Sequence, residues 1–276
     1  MRGFRAVVRT LHGCPRSHPC SQSYHMSSTR KLKVKNYSTS IKNIPTSNPG
    51  STLDLAWLAN VHCNKSAIER RAAEVAGRRT VKKKWQTAWL LRAATLIDLT
   101  TLSGDDTHGN VARLCAKAQN PITTETLNAL ACPSLSISTG AVCVYPARVS
   151  DAVKQLDGTG VAVASVATGF PSGQIHLPHK LSEIRQCVDD GAEEIDVVIS
   201  RGKVLTGDWQ GVYDEVRAFK EACGPARMKT ILATGELATY RNVYQASLVC
   251  MMAGADFIKT STGKEKTNAT LEVSYT

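Results

Sequence analysis

The chain has 276 residues, 42% of them hydrophobic and 21% charged, enough for one large domain or two small ones. Its formal charge of +11 resembles a nucleic-acid signal, but residues 1–53 carry nine of the 34 Lys and Arg and no acid. That leaves 25 basic against 23 acidic side chains, so the globular part is nearly neutral and shows no nucleic-acid footprint.

Residues 1–52 read as a basic, disordered leader rich in Ser, Arg, Lys and Pro. Phe4, Val7, Val8 and Leu11 fit one helical face, with Arg2, Arg5 and Arg9 elsewhere on the turn. That pattern fits a mitochondrial transit segment; the alternative is a dispensable tail. No apolar run is long enough to span a bilayer, so no membrane partner is expected. The nine cysteines are scattered, without CxxC pairs or histidines at zinc spacing. They read as buried thiols in a reducing compartment, the cytoplasm unless the leader acts as a transit peptide, and not as disulfides or a metal site.

From residue 53 to 276 the chain reads as one domain. Leu55, Trp57, Leu58 and Val61 predict a short helix, and residues 66–90 a longer one. Strand-like runs follow at 93–99, 140–146, 160–168, 194–200, 228–234 and 255–260. They are short, largely apolar and β-branched without strict alternation, as parallel strands buried on both faces are. Amphipathic helical stretches lie between them at 107–119, 147–157, 177–191, 208–223 and 239–253. Alternating strand and helix predicts βαβ units around a parallel sheet. No GxGxxG follows the first strand and no Walker A loop is present, so a dinucleotide-binding or P-loop fold has no support.

Chemistry-bearing residues fall toward the C-terminal ends of these strands: Asp98 and Thr100, Cys143 and Tyr145, Thr168 and Phe170, Asp196, Thr234 and Glu236, and Lys259. In a (β/α)8 TIM barrel that end carries the active site. Six such units are visible, where a closed barrel needs eight.

Lys259 stands in line with the strand residues Phe257 and Ile258. Burying an ammonium costs several kcal/mol unless it is paired or neutralised. Desolvation lowers a lysine pKa, and a neutral amine attacks a carbonyl to form a Schiff base. Thr262, Gly263 and Lys264 follow, chemistry suited to holding a phosphate. The alternative is an edge lysine that snorkels to water, followed by a polar turn. Lys229, at the start of the fifth strand, has two readings: a group that perturbs the pKa of Lys259, or a structural residue of the barrel floor, which its position favours.

Five runs occur in register: LIDLTTLSGDDT (96–107), AVCVYP (141–146), EIDVV (194–198), KTILATGEL (229–237) and FIKTSTGK (257–264). Together they resemble the animal-type deoxyribose-phosphate aldolases, from about residue 53 to about residue 270. The resemblance implies a TIM barrel and a cofactor-free class I aldolase. Such an enzyme cleaves 2-deoxy-D-ribose 5-phosphate to D-glyceraldehyde 3-phosphate and acetaldehyde, in deoxyribose catabolism. It further implies that Lys259 forms the imine and that Asp196 serves in the proton relay. Thr262, Gly263 and Lys264 would line the substrate and phosphate pocket, and Asp98 and Cys143 would contact or neighbour the substrate. The implied partner is the phosphorylated deoxy-sugar, with homo-oligomerisation left open. Taken residue by residue, Asp196 also fits a hydrogen-bonded structural acid, and Cys143 a small apolar core residue.

The family pattern continues through a seventh strand, which bears a second lysine in an FKPAGG run, and an eighth. Residues 272–276 (EVSYT) do not resemble that pattern. Two functions are therefore carried forward: an active aldolase, and a catalytically inactive truncated form of it. Another Schiff-base barrel, such as a transaldolase, is disfavoured by the 96–107 and 141–146 runs. Nucleic-acid binding through the basic leader is the remaining alternative.

Overall fold

A computed structural model describes residues 47–276. The expected leader lies outside the described residues as far as residue 46. The chain is already docked at Ser47, however. Asn48 donates through its side chain to the carbonyls of Met251 and Ala255, and the Ser51 amide donates to the Met252 carbonyl at 2.7 Å. Gly50 sits here at φ +73°, where a Cβ would come within 2.5 Å of the Met252 oxygen, so only glycine fits.

Three helices lead in: α1 (Leu55–Ala59), α2 (Lys65–Gly77) and α3 (Lys83–Ala94). The single helix expected over 66–90 is thus two. Gly77 is a poor helix former, and Arg78 turns to extended backbone at ψ 149°. The strand expected from residue 93 begins only at β1 (Asp98–Thr100). Ala93 and Ala94 continue α3, and the amides of Thr95, Leu96 and Ile97 close turns onto Arg92, Ala93 and Ala94. A short apolar run does not tell helix from strand by periodicity alone.

The units that follow are α4 (His108–Gln119), α5 (Thr124–Ala129), β2 (Ala141–Val144), α6 (Val149–Leu156), β3 (Ala162–Ala167) and α7 (Leu177–Asp189). After them come β4 (Glu194–Val198), α8 (Arg201–Thr206), α9 (Trp209–Cys223), β5 (Arg227–Ile231), α10 (Tyr240–Met252), β6 (Phe257–Lys259) and α11 (Leu271–Tyr275). Hydroxyl or carboxylate caps start several of the helices: Thr107 for α4, Asp208 for α9 and Thr239 for α10 each accept an amide of the first turn.

The six strands are all parallel and pair in sequence order. They curl into a half-barrel. In a flat sheet β1 and β5 would lie roughly 19 Å apart. Instead the Lys229 ammonium on β5 lies 2.7 Å from the Asp98 carboxylate on β1. Strand alternation then separates two cores. Val142, Val144, Val163, Ile195, Val197 and Met228 face outward into the helical layer with Val216 and Phe219 of α9. Ala141, Cys143, Ala164 and Val166 face inward with Leu102. Phe219 is fully buried, and Phe219→Ala would cost about 3–5 kcal/mol of outer-layer packing.

Candidate active site

The inward face of the half-barrel is where the ionisable side chains meet. On β4, Glu194 and Asp196 are two residues apart and so share that face, while Ile195 and Val197 enter the outer core. On β5 the same alternation turns Lys229 inward beside Asp196, its register partner. Lys259 is paired in register with Ile231, two residues after Lys229 and so on the same inner face. The alanines at 141 and 164 on the same inner face leave room for long side chains.

Two ammonium groups face three carboxylates. Lys259 Nζ donates to Asp196 Oδ2 at 2.5 Å. Lys229 Nζ contacts Asp196 Oδ1 at 3.0 Å, Asp98 Oδ2 at 2.7 Å and Glu194 Oε2 at 2.7 Å. Asp196 and Lys229 have no exposed surface, and Lys259 retains 7%. Burial presses the Asp196 pKa upward, but the charges of Lys229 and Lys259 and their hydrogen bonds outweigh it and hold it at about 2. Burial likewise presses Lys229 down, and Asp196, Glu194 and Asp98 together lift it well above the ordinary lysine value.

Lys259 departs from expectation in one respect. Desolvation does act to lower its pKa, and the Lys229 charge adds to that, but the Asp196 carboxylate prevails and the net direction is upward. The resting side chain is an ammonium locked in an ion pair. Lys229 also differs from the expected floor residue, because it shares the Asp196 carboxylate with Lys259.

The Cys143 thiol lies 3.7 Å from Asp196 Oδ2, and burial pushes it up to about 12, so it is a neutral neighbour of the pair. Asp98 is buried and held by Lys229. Lys264 Nζ reaches across to the Leu102 carbonyl just past β1, at 2.9 Å. Thr262 is buried and its hydroxyl accepts the Lys264 amide at 3.0 Å. Gly263 turns at φ +79°. Leu102, Val166, Tyr145 and Phe170 form an apolar wall beside Cys143, with the two rings edge to face at 5.7 Å.

Above this face Arg201 ties three loops together. It pairs with Glu236 after β5 at 2.5 Å and donates to the carbonyls of Pro171 and Ser172 after β3. Glu236 is therefore bound in a clamp. Among the described residues there is no cluster of ligands able to hold a metal ion, and no helix long and apolar enough to cross a membrane. The sequence reading missed Glu194 and set aside the influence of Lys229 on Lys259, although both were detectable. The Glu-x-Asp spacing sets two acids on one strand face, and Lys229 is a lysine inside an apolar strand, the same signal that singled out Lys259.

Residues 92–276 match the family model described as DeoC/LacD family aldolase. The chain belongs to this family. It is 60% identical to the deoxyribose-phosphate aldolase of Homo sapiens over 228 residues, 82% of this chain and 72% of that protein. The Mus musculus deoxyribose-phosphate aldolase is 62% identical over 226 residues, 81% of this chain and 71% of that one. Among solved structures, the tetrameric deoxyribose phosphate aldolase of Aeropyrum pernix superposes with a TM-score of 0.50 at 28% identity, covering 62% of this chain and 64% of that chain. The aldolase QR15 superposes with a TM-score of 0.56 at 26% identity, covering 66% and 76%.

Proposed function

We propose that the chain is a class I aldolase that cleaves 2-deoxy-D-ribose 5-phosphate to D-glyceraldehyde 3-phosphate and acetaldehyde. Lys259 is the imine-forming amine and Asp196 carries protons. Asp98, Cys143, Thr262, Gly263 and Lys264 are the substrate contacts. The observation that carries this reading is the buried Lys259–Asp196 pair at the end of β6, in a chain of this aldolase family.

The chemistry follows from the charges. Lys259 must lose a proton before its lone pair can add to the C1 aldehyde, and Asp196 at 2.5 Å is the acceptor in contact with it. Loss of water from the adduct leaves a protonated imine. That imine carries the positive charge the ammonium carried, so Asp196 stays paired without rearranging. When the C3 hydroxyl gives its proton to the relay that Asp196 carries, the C2–C3 bond breaks and its electron pair moves into the iminium as an enamine. Glyceraldehyde 3-phosphate departs, a proton returns to C2, and water hydrolyses the imine to free acetaldehyde. The imine is the electron sink, so the proposed reaction uses no added cofactor.

Treatment with acetaldehyde and borohydride, followed by peptide mass mapping, tests the assignment. The expected product is an ethyl-lysine at Lys259, absent in Lys259→Ala and in Lys259→Arg, whose guanidinium stays protonated. An adduct at Lys229 or Lys264, or none at all, would overturn it.

A further inference from the structure

Glu265 lies just beyond the loop of Thr262, Gly263 and Lys264, and its carboxylate folds back onto that loop. The Thr262 amide donates to Oε1 at 2.8 Å and the Gly263 amide donates to Oε2 at 2.9 Å. Each oxygen of one anion is thus held by one of two successive backbone amides. Gly263 at φ +79° permits the turn that makes such amides converge, the geometry of an anion-binding nest. The residue is only 9% exposed, so its charge is largely removed from water. The loop begins three residues after Lys259 on the same strand end, and Lys264 Nζ carries it across to the Leu102 carbonyl beyond β1. A seat for an anion therefore exists beside the buried lysine pair, and in this structure the chain's own carboxylate fills it.

We propose that Glu265 is an internal stand-in for the substrate's phosphate, and that its displacement sets how strongly the enzyme prefers a phosphorylated aldehyde. The identity of the phosphate carrier rests on the aldolase reading above; the seat itself does not. A phosphate monoester carries more negative charge than a carboxylate and has oxygens enough for both amides. To use them it must first release Glu265. The apparent affinity is then the intrinsic affinity scaled by the fraction of molecules whose seat is open. An unphosphorylated substrate makes no such demand, so Glu265 acts on one substrate class alone.

The competing interpretation makes Glu265 a brace that shapes the loop and is never displaced. Inorganic phosphate separates the two on the full chain, read by the amide resonances of Thr262 and Gly263 and by the side-chain carboxyl resonance of Glu265. In the wild-type protein, saturating phosphate shifts both amides and moves the Glu265 carboxyl signal to that of a solvated side chain. In Glu265→Gln the side chain keeps its shape but loses its charge and one of its two acceptors. Its phosphate dissociation constant falls about tenfold, as losing one charge-assisted hydrogen bond from the competitor implies. A brace would give the opposite, weaker phosphate binding in the variant. If the variant fails to fold, the wild-type titration decides alone: phosphate binding with the Glu265 signal unmoved, or with shifts only elsewhere, overturns the proposal. Should acetaldehyde trapping at Lys259 fail while phosphate still moves Glu265, the aldolase reading falls and the anion seat stands. The reverse pattern removes the seat alone.

Discussion

Lys229→Met tests whether the inner charge cluster holds the half-barrel together. Methionine roughly matches the length of the stem and packs without a charge. The substitution removes the ammonium that Asp98, Glu194 and Asp196 share and leaves Lys259 beside Asp196. Removing one partner of a buried ion pair costs about 3–5 kcal/mol, a large share of a total stability of about 5–15 kcal/mol. For a domain of this size the melting temperature should fall by roughly 6–20 °C at pH 7. The pH dependence carries the sharper signature. In the wild-type protein the Asp196 pKa of about 2 lies below its ordinary 3.8. Its contribution of about 2–3 kcal/mol is therefore fully present above pH 4 and is lost as pH falls through the folded value. Lys229 has the opposite sign. Its raised pKa contributes stability that is full below about 10.5 and is lost as pH climbs through the folded value. In the variant Asp196 loses the Lys229 charge that helps hold its pKa down against burial, so the deficit should shrink as pH is lowered from 7 toward 4. Thermal and urea melts across that range, with Lys229→Met/Glu194→Gln as a partial rescue, make the measurement. A variant that melts within about 2 °C of wild type at pH 7, with a deficit independent of pH, would refute the electrostatic account.

Asp196→Asn should separate imine formation from turnover. Without the carboxylate that lifts it, Lys259 is left to burial and to the Lys229 charge, both of which lower its pKa. Borohydride trapping at pH 7 should therefore become faster than in wild type, while deoxyribose-phosphate cleavage slows by roughly 10²–10⁴-fold; slower trapping would show that Asp196 does not hold the proton on Lys259. Asp256→Ala should loosen the far pole of the barrel. Its carboxylate accepts the Ser47 hydroxyl, the Asn48 and Met228 amides and the Lys220 ammonium. The expected loss is about 2–4 kcal/mol, with faster proteolysis within residues 47–52, and unchanged proteolysis there would contradict the docking described.

The strand order was legible because each of β2, β3, β4 and β5 is a short β-branched run flanked by amphipathic helices, and hydrophobic period is a local property. β1 was misjudged at its start for the same reason. The apolar stretch 93–97 satisfies helix and strand alike, and the helical turns after α3 settle the matter by bonds to Arg92, Ala93 and Ala94. Lys259, Asp196, Asp98 and Cys143 were each visible as polar groups in or beside apolar strand runs. Residue type and strand alternation place such groups on a face without any knowledge of distance.

What the chain alone determined, then, was the order of the parallel strands and the polar residues they carry. Which of them touch was decided only by the curl of the sheet. Asp98 and Lys229 are 131 positions apart in sequence, and Asp196 and Lys259 are 63 apart, yet both pairs close to hydrogen-bond distance. The protonation of Lys259 turns on this. Burial can be inferred from an apolar run, and burial alone predicts a neutral amine. The carboxylate that reverses the direction acts through a Coulomb energy that grows as the distance shrinks, and that distance exists only after β4, β5 and β6 have been brought side by side.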